Sequence, residues 1–226
     1  MPVAMVTGAS KGLGLALTTA LAQRGWSVVV DARDGDALHE ATAGLSNVIV
    51  VPGDVADPAH RAELLAAVER LGRLDVLVNN ASTLGASPLL RLADLPLDTY
   101  RRTLEVNVVA PLALVQAVLP LLRASDGRIL NITSDAGVEG YATWGGYGSS
   151  KAALEQLSNV LAAEETGVKV YWVDPGDMRT DMHQDAFPGE DISDRPPPDD
   201  SVPGLLVLLE GERPSGRYAT RTLVTP

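Results

Sequence analysis

The stretch Val3-Ala4-Met5-Val6-Thr7-Gly8-Ala9-Ser10-Lys11-Gly12-Leu13-Gly14 decides the fold. Four apolar residues open it, glycines follow at 8, 12 and 14, and Leu15 to Arg24 then spaces its apolar residues as a helix does. A dinucleotide site requires this order of strand, glycine-rich turn and helix. Glycine removes the Cβ atoms that would keep a pyrophosphate off the backbone, and the helix N-terminus supplies N–H groups and a partial positive charge. A turn without a ligand needs fewer glycines. The alternation continues downstream. Val28–Val30, Val48–Val51, Leu74–Val78, Gly127–Ile132 and Val168–Val173 read as strands. Helices are expected over Asp34–Ala43, Asp57–Leu71, Leu97–Arg123 and from Tyr147 to near Gly167. Val202–Leu209 reads as a short apolar helix and Gly216–Thr220 as an edge strand. The pattern predicts one α/β domain over residues 1–226, a doubly wound parallel sheet of about seven strands with helices on both faces. Prolines and acids dominate 181–201, which is expected to be a mobile segment covering a substrate.

Composition narrows the function classes. Lys+Arg 18 against Asp+Glu 29 gives a net charge of -11, and without a basic run a nucleic-acid partner is not expected. The absence of cysteine excludes disulfides, thiolate nucleophiles and Cys-ligated metal. His39, His60 and His183 match no metal-ligand spacing, so no metal is expected and all three are read as surface residues. The chain begins in a strand, leaving no room for a signal peptide. Its most apolar stretch, Val106–Leu122, is interrupted by Asn107, Pro111, Gln116 and Pro120 and reads as too polar to span a membrane. A cytoplasmic protein with no membrane partner is expected.

Tyr147-Gly148-Ser149-Ser150-Lys151 carries candidate chemistry. Helical spacing puts Tyr147 and Lys151 on one face, a turn apart. A fixed cation beside a phenol favours the phenolate and lowers its pKa, allowing proton exchange with an alcohol or ketone oxygen near neutral pH. By itself the pair reads as a half-exposed tyrosine and a solvated lysine, and only the rest of the chain favours the chemical reading.

With these residues in place, the sequence resembles the short-chain dehydrogenase/reductase superfamily, a Rossmann-like fold. The glycine motif, Asp54-Val55, Asn79-Asn80-Ala81, Asn107, Ser134, Tyr147/Lys151 and Pro175-Gly176-x-x-x-Thr180 occur in the family's order between residue 3 and about 180. The resemblance implies four catalytic residues. Tyr147 would be the proton donor, Ser134 would hydrogen-bond the substrate oxygen, and Asn107 would seat a relay water. Lys151 would bind the nicotinamide ribose and depress the Tyr147 pKa. It implies a cofactor site at Gly8, Ser10, Lys11, Gly12, Leu13 and Gly14, with Asp54 and Val55 at the adenine and Asn79 and Ala81 beside the adenosine ribose. Pro175, Gly176, Met178 and Thr180 would hold the carboxamide. Asn107 reads otherwise as a satisfied helix-interior group, and Ser134 as a strand-end serine.

For the 2′ position, Asp31 ends the second strand, where an acid binds the ribose hydroxyl of NAD. In the family the discriminating acid falls one residue later, where this chain has Ala32 and then Arg33. Arg33 and Lys11 together suit a 2′-phosphate, with Asp31 pairing structurally to one of them, so NADP(H) is favoured and NAD(H) stays possible. Tyr171 replaces an asparagine common before Pro175-Gly176, a packing change, and the C-terminus lacks the family's usual ending.

The expected activity is interconversion of a carbonyl, ketone or aldehyde, with an alcohol. The alternatives are a catalytically silent NADP-binding regulator and a dehydratase or epimerase of the same family. Leu84, Val138, Tyr141, Trp144, Met178, Met182 and Phe187 are candidate substrate contacts. Asp135, Glu139, Asp177, Asp181 and Asp185 among them favour a neutral or cationic small molecule. Apolar faces on Leu112–Leu122 and Leu154–Leu161 suggest a homodimer or homotetramer.

Overall fold

A computed structural model describes residues 1–224. The elements in order are β1 (Val3–Val6), α1 (Gly12–Gln23), β2 (Ser27–Val30), α2 (Gly35–Thr42), β3 (Val48–Val50), α3 (Pro58–Glu69) and β4 (Val76–Asn79). After a loop come α4 (Leu97–Leu104), α5 (Ala110–Ala124), β5 (Arg128–Ile132), α6 (Gly145–Glu164) and β6 (Lys169–Asp174). The chain closes with α7 (Asp181–Ala186), α8 (Val202–Glu210), β7 (Gly216–Ala219) and α9 (Thr220–Leu223). The seven strands form one sheet in the order β3-β2-β1-β4-β5-β6-β7, every pair parallel. The order reverses direction beside β1, placing a crevice at the carboxyl ends of β1 and β4.

Strand alternation builds two cores. Ala4, Val6, Val28 and Val30 face Leu13, Leu17 and Leu21 of α1 and Leu205 and Leu208 of α8. Met5, Val29, Leu77 and Ile129 face Leu64 and Val68 of α3 and Leu114, Val118 and Leu122 of α5. Both faces of the sheet are covered, which is why the central strands β1, β2 and β4 are almost entirely apolar. Helix starts follow local chemistry: the carboxylate of Asp34 accepts from Ala37 N–H, and that of Asp57 from Ala59 N–H just after Pro58.

Two expectations change. His60 on α3 is 4% exposed, so it is a core residue and not a surface one. The helical run Leu97–Ala124 is long and apolar enough to cross a membrane by length and composition, contrary to the reading of Val106–Leu122 as too polar. Its apolar face (Leu114, Val118, Leu122) packs on the sheet, which explains the composition without a bilayer. Within that run Glu105–Val109 is wound as a π-helix, Ala110 N–H bonding Glu105 C=O; such wider turns recur at functional sites. Tyr171 is fully buried, its hydroxyl donating to Arg213 C=O and its ring meeting Tyr218 edge-on, the packing role expected. The 181–201 segment makes hydrogen bonds to the body: Ser87 Oγ donates to Asp185 C=O and Ser201 Oγ to Pro175 C=O.

Candidate active site

The crevice is a cavity of about 1450 Å³. Its first wall is the loop between β1 and α1. Gly8 has φ +70, and a Cβ there would lie 2.9 Å from Ala81 Cα; a Cβ on Gly14 would lie 2.3 Å from Gly8 C=O. Only glycines let this loop fold down onto the end of β4. Asn80 fixes it there, its Nδ2 donating to the carbonyls of Thr7 (2.8 Å) and Gly8 (3.1 Å). The open cradle and the side chains of Lys11 and Arg33 around it suit an anionic dinucleotide.

Of the residues expected to bind cofactor, Gly8, Ser10, Lys11, Gly12, Leu13, Asp31, Arg33, Val55, Ala81, Pro175, Gly176, Met178 and Thr180 line this cavity, together with Ser134, Tyr147 and Lys151. Gly14 sits beneath the loop and does not line it. Asn79 is turned the other way: it is buried in the sheet, donating to Asn131 Oδ1 at 2.8 Å, and strand alternation leaves Asn80 at the cleft instead. The carboxylate of Asp54 is bound to Arg102 and to Ala56 N–H (3.0 Å), while Gly53 and Val55 on either side line the cavity. Burial pushes the Asp54 carboxyl up, but Ala56 N–H and the Arg102 and Arg33 guanidiniums together hold it below its ordinary value.

The 2′ region is rearranged too. Asp31 pairs with neither Lys11 nor Arg33: it is 2% exposed, accepting from Gly8 N–H at 2.8 Å and facing His60 Nε2 at 3.1 Å. Lys11 instead pairs with Asp181 at 2.7 Å.

The opposite wall carries the tyrosine. α6 places Tyr147 and Lys151 on its sheet-facing side, 8% and 2% exposed, with Lys151 Nζ 5.4 Å from the Tyr147 ring centre and donating to Ile132 C=O at 2.8 Å. Ser134 follows β5 next to the phenol; its hydroxyl donates to Asp135 Oδ1 (2.9 Å), and Tyr141 donates to Asp135 Oδ2 (3.0 Å). Burial pushes the Tyr147 phenol well above its ordinary value and Asp174 adds to this; hydrogen bonds to Ser134 and Ser82 offset only part. Burial pushes the Lys151 ammonium down to about 8. The expected depression of the phenol is therefore not produced by the protein's own groups, because desolvation and the nearby carboxylates outweigh the two serine hydrogen bonds.

The side chain of Asn107 is fully engaged. Its Nδ2 donates to Thr83 C=O and Ser150 Oγ, both at 2.9 Å, and its Oδ1 accepts from Thr83 N–H (2.9 Å) and Ser82 Oγ (3.2 Å). Every hydrogen-bonding position of the amide is filled by protein, which leaves a relay water only the backbone carbonyl, whose neighbour four residues on, Pro111, has no N–H. It ties α6 to the 82–83 loop. The cavity is also lined by Leu84, Tyr141, Trp144, Met178, Met182 and Phe187 and by Asp135, Asp177 and Asp181. Val138, Glu139 and Asp185 lie outside. Reading the sequence missed Asn80, Ser82 and Asp174; alternation at the end of β4 was the available signal for Asn80. Among the described residues no cluster of metal-ligating side chains occurs.

Comparison with known proteins agrees with this geometry. The model of the short chain dehydrogenase family matches residues 2–191. The chain belongs to the short-chain dehydrogenase family. It is thus an oxidoreductase of a family that binds nicotinamide cofactors. It is 35% identical over 190 residues to a rhamnolipids biosynthesis 3-oxoacyl-[acyl-carrier-protein] reductase of Pseudomonas aeruginosa, covering 77% of this chain and 72% of that one. A short chain dehydrogenase structure from Pseudomonas syringae superposes with TM-score 0.90 at 34% identity, over 97% of this chain and 94% of that chain. An Escherichia coli short chain dehydrogenase complexed with NADPH superposes with TM-score 0.88 at 29% identity, over 97% and 96%.

Proposed function

We propose that this short-chain dehydrogenase interconverts a ketone or aldehyde and an alcohol with NADP(H), Tyr147 exchanging the proton at the substrate oxygen. The observation that carries the reading is that Tyr147, Ser134 and Lys151 line the same cavity as the glycine loop. When bound, the dinucleotide supplies or accepts the hydride. Tyr147 and Ser134 then meet the charge that grows on the carbonyl oxygen, where aligned donors in a water-poor site are strongest. Burial keeps the phenol protonated, so the proton is in place, but it also makes Tyr147 a weaker acid. Transfer needs the charge growing on the substrate oxygen and a cation beside the tyrosinate. Lys151, held to Ile132 C=O and close to neutral pH in its titration, sits where a positive charge favours the tyrosinate that remains. Asn107 keeps α6 and the 82–83 loop in register, a positioning role.

Arg33, exposed at the cleft, is the 2′-phosphate ligand in this reading, and NADP-complexed relatives in the same fold support it. Lys11 joins it on leaving Asp181. The carboxylates of Asp135, Asp174 and Asp177 at the substrate end, beside Tyr141, Trp144 and Phe187, favour a neutral or cationic carbonyl substrate. The exposed apolar side chains of Val109, Leu112 and Val160 favour a homodimer or homotetramer. The test is NADPH consumption against ketones and aldehydes of neutral, cationic and anionic type, including acyl thioesters. Turnover of neutral or cationic carbonyls is expected; no oxidation with any substrate would remove the reading, and a preference for keto acids or thioesters would remove the substrate class.

A further inference from the structure

We propose that His60 is a positioning residue for the dinucleotide loop, acting through Asp31; this rests on the reading of that loop as the cofactor site. Asp31 stands at the end of β2 and His60 on α3, and both are almost fully buried. One carboxylate oxygen of Asp31 accepts from Gly8 N–H at 2.8 Å, and its backbone carbonyl accepts from Ala9 N–H at 2.8 Å. The other carboxylate oxygen faces His60 Nε2 at 3.1 Å. A carboxylate only accepts, so the bond places a proton on Nε2. Nδ1 has no hydrogen-bond partner, its nearest acid being Glu63 Oε2 at 3.9 Å on the same helix. The ring is held by its Nε2 bond and by close packing: a Cβ on Gly53 would lie 2.2 Å from Nδ1. Gly53 follows β3 and lines the same cavity as Gly8 and Asp31. Three parts of the chain thus meet behind the loop, and the histidine is the piece that joins α3 and the Gly53 turn to the first glycine.

Two consequences follow for the cofactor. With His60 present, each oxygen of Asp31 has a partner that holds the carboxylate almost fully buried, which keeps the acid turned from a ribose hydroxyl and its charge partnered next to the 2′ site. Without His60, Asp31 keeps a buried charge with one donor fewer. It then relaxes away from Gly8, or turns toward the ribose, where it accepts from a 2′-hydroxyl and repels a 2′-phosphate. Loss of the histidine therefore loosens the loop for both dinucleotides and harms NADPH more than NADH.

The experiment measures dissociation constants of NADPH and NADH by fluorescence titration for wild type, His60→Gln and His60→Leu, with thermal unfolding of each protein alongside. Gln carries an N–H to the place of Nε2 and is expected to stay within about threefold of wild type, whereas Leu is expected to weaken NADPH about tenfold or more, a charged hydrogen bond being lost. The NADH constant should change less, and kcat at saturating cofactor should hold. Gly53→Ala, which pushes the ring off Asp31 while leaving the histidine in place, is expected to weaken NADPH in the same direction and carries the test if the leucine variant does not fold. A folded His60→Leu that binds NADPH as wild type does, equal impairment in Gln and Leu, or no effect of Gly53→Ala would overturn the proposal. Wild type that binds neither dinucleotide would overturn the cofactor reading itself, before any variant is compared.

Discussion

Lys151 has the most exposed consequences for solution behaviour, although it is one of the most buried residues. Its folded pKa of about 8 lies below the ordinary lysine value. Below about pH 8 both folded and unfolded chains carry the proton, and the folded state bears the full cost of the buried charge. Between that pH and about 10 the unfolded chain binds more protons, so stability should rise with pH. Above about 10 the raised phenol of Tyr147 reverses the slope. We therefore expect apoprotein stability in urea to increase from pH 8 to 10 by on the order of 1–3 kcal/mol, and Lys151→Met to flatten that rise. An unchanged slope in the variant would assign the dependence to another group. At the 2′ site, Arg33→Ala should weaken NADPH by about tenfold or more with little change in NADH, read by titration. Asp181→Asn, releasing Lys11 from its ion pair, should tighten NADPH modestly, because an exposed pair holds the lysine weakly. Residue identities at the catalytic wall were legible because each has a fixed place in the family's order. The partners of Asp31, Asp54 and Asn107 were not, since they lie 29, 48 and up to 43 positions away in sequence and no local pattern encodes them.

The short helices α7 and α9 were not read at all, whereas the strands and the longer helices were read to within a few residues, because long apolar runs and helical spacing are local signals. The glycine loop shows why. Gly8 and Gly14 are forced by contact with Ala81 and with each other's backbone, so their spacing is written into the chain. Gly14→Ala would press a Cβ onto Gly8 C=O and Asn80 Nδ2. Dinucleotide binding should fall by at least tenfold by the usual cost of overpacking, seen as loss of fluorescence enhancement while far-UV dichroism is retained. Two features of the elements were hidden. The π-wound turn at Glu105–Val109 lies just before Pro111, which has no N–H for the Asn107 carbonyl, and the inward face of Asn79 follows from where β4 ends, a boundary that apolar runs locate only loosely.

For the whole molecule, the doubly wound sheet was plain from strand–helix alternation, and the acidic surface was plain from composition. Burial patterns were less so: the Leu97–Ala124 run has the composition of a membrane helix and the packing of a core helix, and only contacts distinguish them. Its exposed residues Val109 and Leu112, with exposed Val160 of α6, are where association between copies is proposed. Sedimentation should give a dimer or larger, and Leu112→Glu should shift it toward monomer; a wild-type monomer would contradict this. The central claim is that one buried phenol passes the proton at the substrate oxygen. The most direct measurement is the single-turnover rate of NADPH oxidation by the best carbonyl substrate for wild type and Tyr147→Phe, with NADPH affinity determined on both. The account predicts unchanged NADPH binding and a rate lower by about a hundredfold or more in the phenylalanine variant. Equal rates in the two proteins would contradict it.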